Sequence, residues 1–168
     1  MKNLVEDFQQ YLEVERNVSP HTQQAYLADV REFVGFLQQG GLIKNVDEAA
    51  TASADYVRDF LTHLYRRKVK KVTVKRKISS LRAFFRFLLR QGKIKENPAG
   101  MVRTPKGEKH LPAFLSVDET FELLGKAGEE KAFHGRTQAI LELFYSCGLR
   151  LSELAALNVL DIDFHQEL

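Results

Sequence analysis

The sequence predicts a mainly α-helical protein that consists of a basic N-terminal domain and a shorter, acidic second part. Apolar residues recur at three- and four-residue spacing through most of the 168 residues, and Ser, Pro or Gly stands where such stripes begin and end. Residues 1–110 hold 21 Lys and Arg against 12 Asp and Glu, a balance of +9, whereas residues 111–168 hold 4 against 10, a balance of −6. We therefore expect two units of opposite charge.

The first two helices are predicted from their stripes and caps. A short stripe near the N-terminus consists of Leu4, Phe8, Tyr11 and Leu12. Ser19 is placed to cap the second helix, with Pro20 in its first turn, where the missing amide hydrogen costs nothing. The buried face of this helix is predicted to hold Tyr26, Val30, Phe33 and Leu37, and Gly40-Gly41 ends it.

Two further helices follow in the basic region. Val57, Phe60, Leu61 and Leu64 define the third helix. Thr73 is a candidate N-cap for the fourth, and Gly92 is its predicted stop. The buried side of the fourth helix is predicted to hold Ile78, Leu81, Phe85 and Leu88.

The fourth helix and the turn before it carry an unusual charge pattern. Residues 66–95 contain thirteen basic residues and no acid, whereas an ordinary solvated helix face mixes both signs. A ridge of cations at helical spacing, opposite the apolar face, can follow a phosphate backbone and release its counterions. The predicted DNA-binding residues are Arg66, Arg67, Lys70, Lys71, Lys75, Arg76, Arg82, Arg86 and Arg90. The alternative is that these long side chains only cover apolar surface with their stems.

A polar, proline-bounded stretch at residues 103–113 separates the two parts and is predicted to be an interdomain linker. We expect a DNA-binding domain at 1–102 and the beginning of a second domain at 114–168. Ser116 and Glu119 form a capping box for a helix to about Leu124, and another helix is predicted from Arg136 to Ser146, broken at Gly148. Ser152 is expected to lead a short helix, and residues 161–164 alternate like the start of a strand.

Several function classes lack support in the sequence. No apolar run is long enough for a membrane span, and the acidic N-terminus differs from a signal peptide, so we expect a cytoplasmic protein. The single cysteine, Cys147, cannot form an internal disulfide. The five histidines lack metal-ligand spacing and no glycine-rich phosphate loop is present, so we expect neither a metal nor a cofactor.

One segment near the C-terminus contains candidate catalytic residues. Gly148 breaks a helix, Arg150 lies in the turn, and Glu153 falls in the first turn of the next helix, where the dipole favours a carboxylate. An arginine held in such a turn can present its planar fork to a phosphate. The alternative, favoured on physical grounds alone, is a surface arginine paired with Glu153.

The run Gly-Leu-Arg-Leu-Ser-Glu-Leu at 148–154, followed by Asp-Ile-Asp at 161–163, resembles the first catalytic box of the tyrosine recombinases, the phage-integrase superfamily. Upstream, Ser19-Pro20-His21-Thr22 with Tyr26 resembles an N-terminal helix motif of that family, and residues 73–85 resemble its fourth helix. Asn97-Pro98-Ala99 and residues 111–116 match its linker and catalytic entry. The resemblance covers nearly the whole chain and is strongest to the Xer branch.

This resemblance implies a four-helix, SAM-like core-binding domain followed by the truncated start of an α+β catalytic domain. It implies that Arg150 contacts the scissile phosphate and that Glu153 supports it. It further implies double-stranded DNA as substrate, other recombinase protomers as partners in a tetramer on two duplexes, and a tyrosine nucleophile that none of the five tyrosines here supplies. The alternatives are a non-catalytic DNA-binding fragment or regulator, and a helical protein-interaction module.

Overall fold

The computed structural model describes residues 3–104, 113–127 and 134–162. The chain divides into two compact units, Met1–Lys109 and His110–Leu168. The described residues of both units are mainly helical and include no β-strand. None of the helices in these ranges combines the length and the apolar character that crossing a membrane requires.

The described part of the N-terminal unit contains four α-helices, named α1 (Leu4–Gln10), α2 (Pro20–Gln39), α3 (Ala54–Arg66) and α4 (Lys71–Arg90). A π-helical turn, Tyr11–Glu15, continues α1, and a short 3-10 helix, Val46–Thr51, precedes α3. The predicted mainly α fold class is confirmed.

The helix ends follow local chemistry, with one exception to the prediction. Ser19 caps α2 by accepting a hydrogen bond from the Thr22 amide (3.3 Å), and Gly92 lies beyond α4 at φ +68°, a conformation that glycine adopts without strain. The prediction that Thr73 caps α4 is wrong. The helix begins at Lys71, directly after a turn in which the amide of half-buried Val69 donates to the Leu64 carbonyl (3.1 Å), and its N-cap Lys70 makes no side-chain capping bond.

The core of the N-terminal unit is aromatic. Phe8, Phe33, Phe60, Phe84 and Phe85 are all fully buried. Their rings meet edge to face across helices, with centroids 5.3 Å apart for Phe8 and Phe84 and for Phe33 and Phe60. The phenylalanines of α4 are therefore packing groups, which leaves its polar face for other roles.

The second unit contains α5 (Val117–Ala127), α6 (His134–Cys147) and α7 (Leu151–Ala156), then a 3-10 turn at Val159–Asp161. The capping box before α5 is confirmed, because the Glu119 carboxylate accepts from the Ser116 amide (2.7 Å). The expected strand is wrong at Asp161: its carboxylate accepts from the Asn158 amide (2.8 Å), which closes a turn. Residues 163 and 164 of that strand and residues 105–112 of the linker lie outside the described residues.

The second unit has no buried residue in its described part. Phe114 and Leu160 are 89% and 96% exposed. The helices α5 and α6 contact each other through the exposed rings of Phe121 and Tyr145, whose centroids lie 5.9 Å apart. Burial of apolar surface is the dominant stabilising term in folding, so the N-terminal unit holds most of the stability of the described chain.

Candidate nucleic-acid interface

The α4 surface and the turn before it present exposed cations. Arg66, Lys70, Lys75 and Arg86 are exposed, and within the described ranges none of them has an ion pair or side-chain hydrogen bond. Lys71 is exposed as well. All five residues belong to the predicted DNA-binding set, and the charges of Arg66, Lys70, Lys75 and Arg86 are available to a polyanion.

Arg82 holds the protein's own backbone. Its Nε donates to the Ala99 carbonyl (3.1 Å) and a terminal nitrogen donates to the Val102 carbonyl (2.8 Å). The Asn97 side chain returns a hydrogen bond to the Arg82 carbonyl (3.0 Å). Because both carbonyl bonds fix the segment after α4, Arg82 has a structural role that the sequence did not indicate.

Arg90 is also engaged within the domain. A terminal nitrogen of its guanidinium lies 2.8 Å from a Glu15 carboxylate oxygen, and its central carbon lies 5.7 Å from the Tyr11 ring centroid. Its charge is therefore compensated by a carboxylate and covers an aromatic face. Of the three arginines in the predicted ridge, Arg82, Arg86 and Arg90, only Arg86 has no hydrogen bond or ion pair among the described residues.

A carboxylate network that sequence reasoning missed joins α2 to α4. Asp29, only 1% exposed, accepts from Lys77 Nζ (3.0 Å) and Ser80 Oγ (2.7 Å) and also binds Arg76. Glu32 accepts from Lys77 and from Arg67 (2.9 Å). Arg76 and Arg67, both predicted to bind DNA, are thus held by carboxylates of α2.

The network sets the charge state of Glu32. Burial raises the pKa of this carboxyl, but hydrogen bonds and the positive charges of Lys77 and Arg67 outweigh that effect, so its pKa lies below the ordinary value. The sequence did contain a signal for the network. Asp29 lies one residue before Val30 and four before Phe33 on the buried stripe of α2, and Lys77 follows buried Val74 by three residues.

The candidate catalytic pair lies at the start of α7. The Glu153 carboxylate accepts from the Arg150 backbone amide (2.7 Å) and binds the Arg150 guanidinium (2.7 Å). Gly148, at φ +62°, turns the chain after α6. The Arg150 side chain is 82% exposed, so its remaining donors can reach a ligand. The ion pair between Arg150 and Glu153, which physical grounds alone favoured, is present, and the catalytic role of Arg150 stays a prediction.

Protonation of the Glu153 carboxylate should change the NMR signal of the Arg150 backbone amide, which donates a hydrogen bond to it. The backbone hydrogen bond from Arg150, and then the side-chain bond, lower the pKa of Glu153 below that of an ordinary glutamate. Because the pKa of Glu153 is lower in the folded protein, its bonds to Arg150 are fully formed at any pH above the ordinary glutamate pKa. They are lost as the pH falls through the lowered pKa, when the carboxylate becomes protonated. We expect the Arg150 amide resonance in an NMR titration to shift with that lowered midpoint. A Glu153→Gln variant is the control, and a midpoint at or above the ordinary glutamate value would contradict the cap.

The described residues bring together no group of three or more His, Cys, Asp or Glu side chains that could hold a metal ion. The five tyrosines lie at or before the helix that precedes Arg150. Tyr145, the nearest in sequence, stacks edge to face on Phe121 in α5. No tyrosine hydroxyl is placed against Arg150 by a hydrogen bond within the described ranges.

The chain is similar in sequence to known proteins along its whole length. Residues 5–92 match the family described as "Phage integrase, N-terminal SAM-like domain". The chain is 47% identical, over its whole length, to a protein of Syntrophus aciditrophicus named "Tyrosine recombinase XerC", and covers 55% of that protein. Proteins of the same name from Halalkalibacterium halodurans and Bacillus subtilis are 39% and 38% identical, over 95% and 99% of the chain, which covers 51% and 54% of them.

The chain thus spans about half the length of the curated relatives that it matches. The family match extends from residue 5 in α1 to residue 92 just beyond α4 and so covers the four helices described in the N-terminal unit, apart from Leu4. The resemblance inferred from the sequence motifs is confirmed: the chain belongs to the phage-integrase family with an N-terminal SAM-like domain.

Proposed function

We propose that this chain is the DNA-binding and first catalytic portion of a site-specific tyrosine recombinase of the Xer type. The observation that carries the proposal is the whole-chain identity to proteins named tyrosine recombinase XerC. The exposed, uncompensated cations Arg66, Lys70, Lys75 and Arg86 support the DNA-binding part. Further partners are other recombinase protomers, as a tetramer on two duplexes, and the expected location is the cytoplasm.

The proposed reaction cuts and rejoins DNA by phosphoryl transfer. A tyrosine attacks the scissile phosphate and forms a 3′-phosphotyrosyl bond, while the 5′ oxygen leaves. The bond energy is retained, so the reaction needs neither ATP nor a metal ion. Arg150 stabilises the charge on the five-coordinate phosphorus, and Glu153 positions Arg150 through the two hydrogen bonds described above. We assign the nucleophile to none of the five tyrosines in this chain.

We expect the 168 residues alone to bind duplex DNA without forming a covalent link to it. Affinity measured from 50 to 200 mM salt should fall steeply, because each phosphate contact contributes a slope of about −0.9 in log K against log salt. A helical module that binds only protein would show no such dependence. Loss of members of a catalytic set removes nearly all of its rate, so the segment should not cleave.

A denaturing gel with a nicked duplex tests whether the 168 residues form a covalent link to DNA. The matched positive control is a full-length relative on its own target site, which should give a shifted, protease-sensitive DNA band. Such a band from the 168 residues would show that one of their tyrosines reacts, and would contradict our assignment of the nucleophile. Absence of salt-dependent DNA binding would contradict the proposed function itself.

A further inference from the structure

Two clefts flank the Tyr11 side chain, and they differ in charge. The first is lined by Asp7, Glu15 and Lys93 among others; Lys93 pairs with Asp7 (3.5 Å) and Arg90 pairs with Glu15. The cations around this cleft are therefore neutralised by neighbouring carboxylates.

The second cleft, of about 260 Å³, lies between the π-helical turn, α2 and α4. Its walls include three arginines, Arg16, Arg82 and Arg86, together with Tyr26 and Ser79, and no acidic residue. Arg16 and Arg86 are exposed and have no ion pair among the described residues. We call this the arginine cleft.

The arginine cleft has the chemistry of an anion site. Guanidinium groups bind phosphate oxygens through paired hydrogen bonds, and an anion placed among three positive side chains offsets their mutual repulsion. Arg82 is already oriented by its bonds to the Ala99 and Val102 carbonyls, which leave its charge uncompensated by any carboxylate. The Tyr26 hydroxyl has no partner within the described ranges and can add a neutral donor, whereas Ser79 donates to the Lys75 carbonyl (3.0 Å).

We infer that the arginine cleft binds one backbone phosphate of the DNA duplex, with Arg16 and Arg86 as its charged ligands. This inference rests on the proposed function and extends it to Arg16 and Tyr26, which the charge pattern of α4 does not include. Its position supports DNA as the source of the phosphate. Lys75 and Ser79 lie one helical turn apart on α4, and Arg86 follows, so the cleft continues the line of exposed cations on that helix.

Charge-removing substitutions in the two clefts should differ in their effect on DNA binding. Arg16→Gln, Arg86→Gln and the control Lys93→Gln each remove one positive charge from an exposed side chain. Binding of each variant to a 30-base-pair duplex is measured against KCl concentration. We expect Arg16→Gln and Arg86→Gln each to make the slope of log K against log salt shallower by about 0.9. The gain in affinity when KCl is lowered from 1 M to 0.1 M should then be roughly eightfold smaller than for the unsubstituted chain. Lys93→Gln should leave the slope unchanged, because Asp7 already neutralises Lys93.

The double variant Arg16→Gln/Arg86→Gln tests whether the two arginines share a phosphate. If both arginines are needed to hold that phosphate, the double variant loses no more slope than either single variant, because the one counterion-releasing contact is already lost in each of them. A loss of about two units in the double variant would show separate contacts and overturn the single-phosphate site. Unchanged slopes in the single variants, or an equal effect of Lys93→Gln, would overturn it as well. If the unsubstituted chain shows salt-dependent DNA binding, any of these contradicting slopes would overturn only the phosphate site in the arginine cleft. If it showed no salt-dependent binding, the proposed function would fail with it.

Discussion

Replacing Asp29 by alanine is expected to lower the free energy of unfolding by about 3–5 kcal/mol, the typical cost of removing one partner from a buried ion pair. Asp29 is 1% exposed and accepts from Lys77 and Ser80, while also binding Arg76. Without it, the Lys77 ammonium would remain in a largely buried position with only Glu32 as an acidic partner. Urea unfolding followed by circular dichroism measures the change.

Asp55 provides the matched control within the same domain. It pairs with Arg58 on α3, but both side chains are mostly exposed. Exposed pairs contribute little, so Asp55→Ala should change stability by no more than about 0.5 kcal/mol. Because the second unit has no buried residue in its described part, the transition reports mainly on the N-terminal unit. Equal effects of the two substitutions would show that the Asp29 network does not hold α2 against α4.

Most of the helical framework could be predicted because its determinants are local. The Ser19 cap, Gly92 beyond α4 and the Ser116–Glu119 capping box each depend on residues within a few positions of one another. The start of α4 was misplaced because a turn anchored by Val69 sets it, and the capping preference of Thr73 does not. At Asp161 a side-chain bond to Asn158 overrode an alternating pattern that favours a strand.

The site was harder to predict because its pairings are remote in sequence. Arg82 bonds carbonyls 17 and 20 residues downstream, and Asp29 meets its α4 partners 47 to 51 residues away. Spacing on one helix shows which cations share a face, but it does not show which of them a distant carboxylate neutralises. The charge pattern of α4 therefore predicts an interface, and the structure divides its arginines into structural, paired and available ones.

The largest effect on activity is expected from Arg150→Ala. We would test it in a chimera in which residues 1–168 replace the matching portion of the Syntrophus aciditrophicus relative, to which they are 47% identical. Removing one donor that stabilises transition-state charge typically slows a reaction about 100- to 1000-fold. Cleavage of a nicked suicide substrate should fall by that factor. DNA binding should change little, because the exposed cations of α4 remain.

Two further variants separate chemistry from charge. Arg150→Lys keeps the positive charge but lacks the planar fork, so it should restore little cleavage. Arg136→Ala removes an exposed arginine from α6, the preceding helix, and should cleave as fast as the unsubstituted chimera. The Arg150–Glu153 pair also caps α7 without any ligand, and a purely capping role predicts normal cleavage when Arg150 is replaced. Near-normal cleavage by Arg150→Ala would assign the pair to capping α7 and remove Arg150 from the reaction.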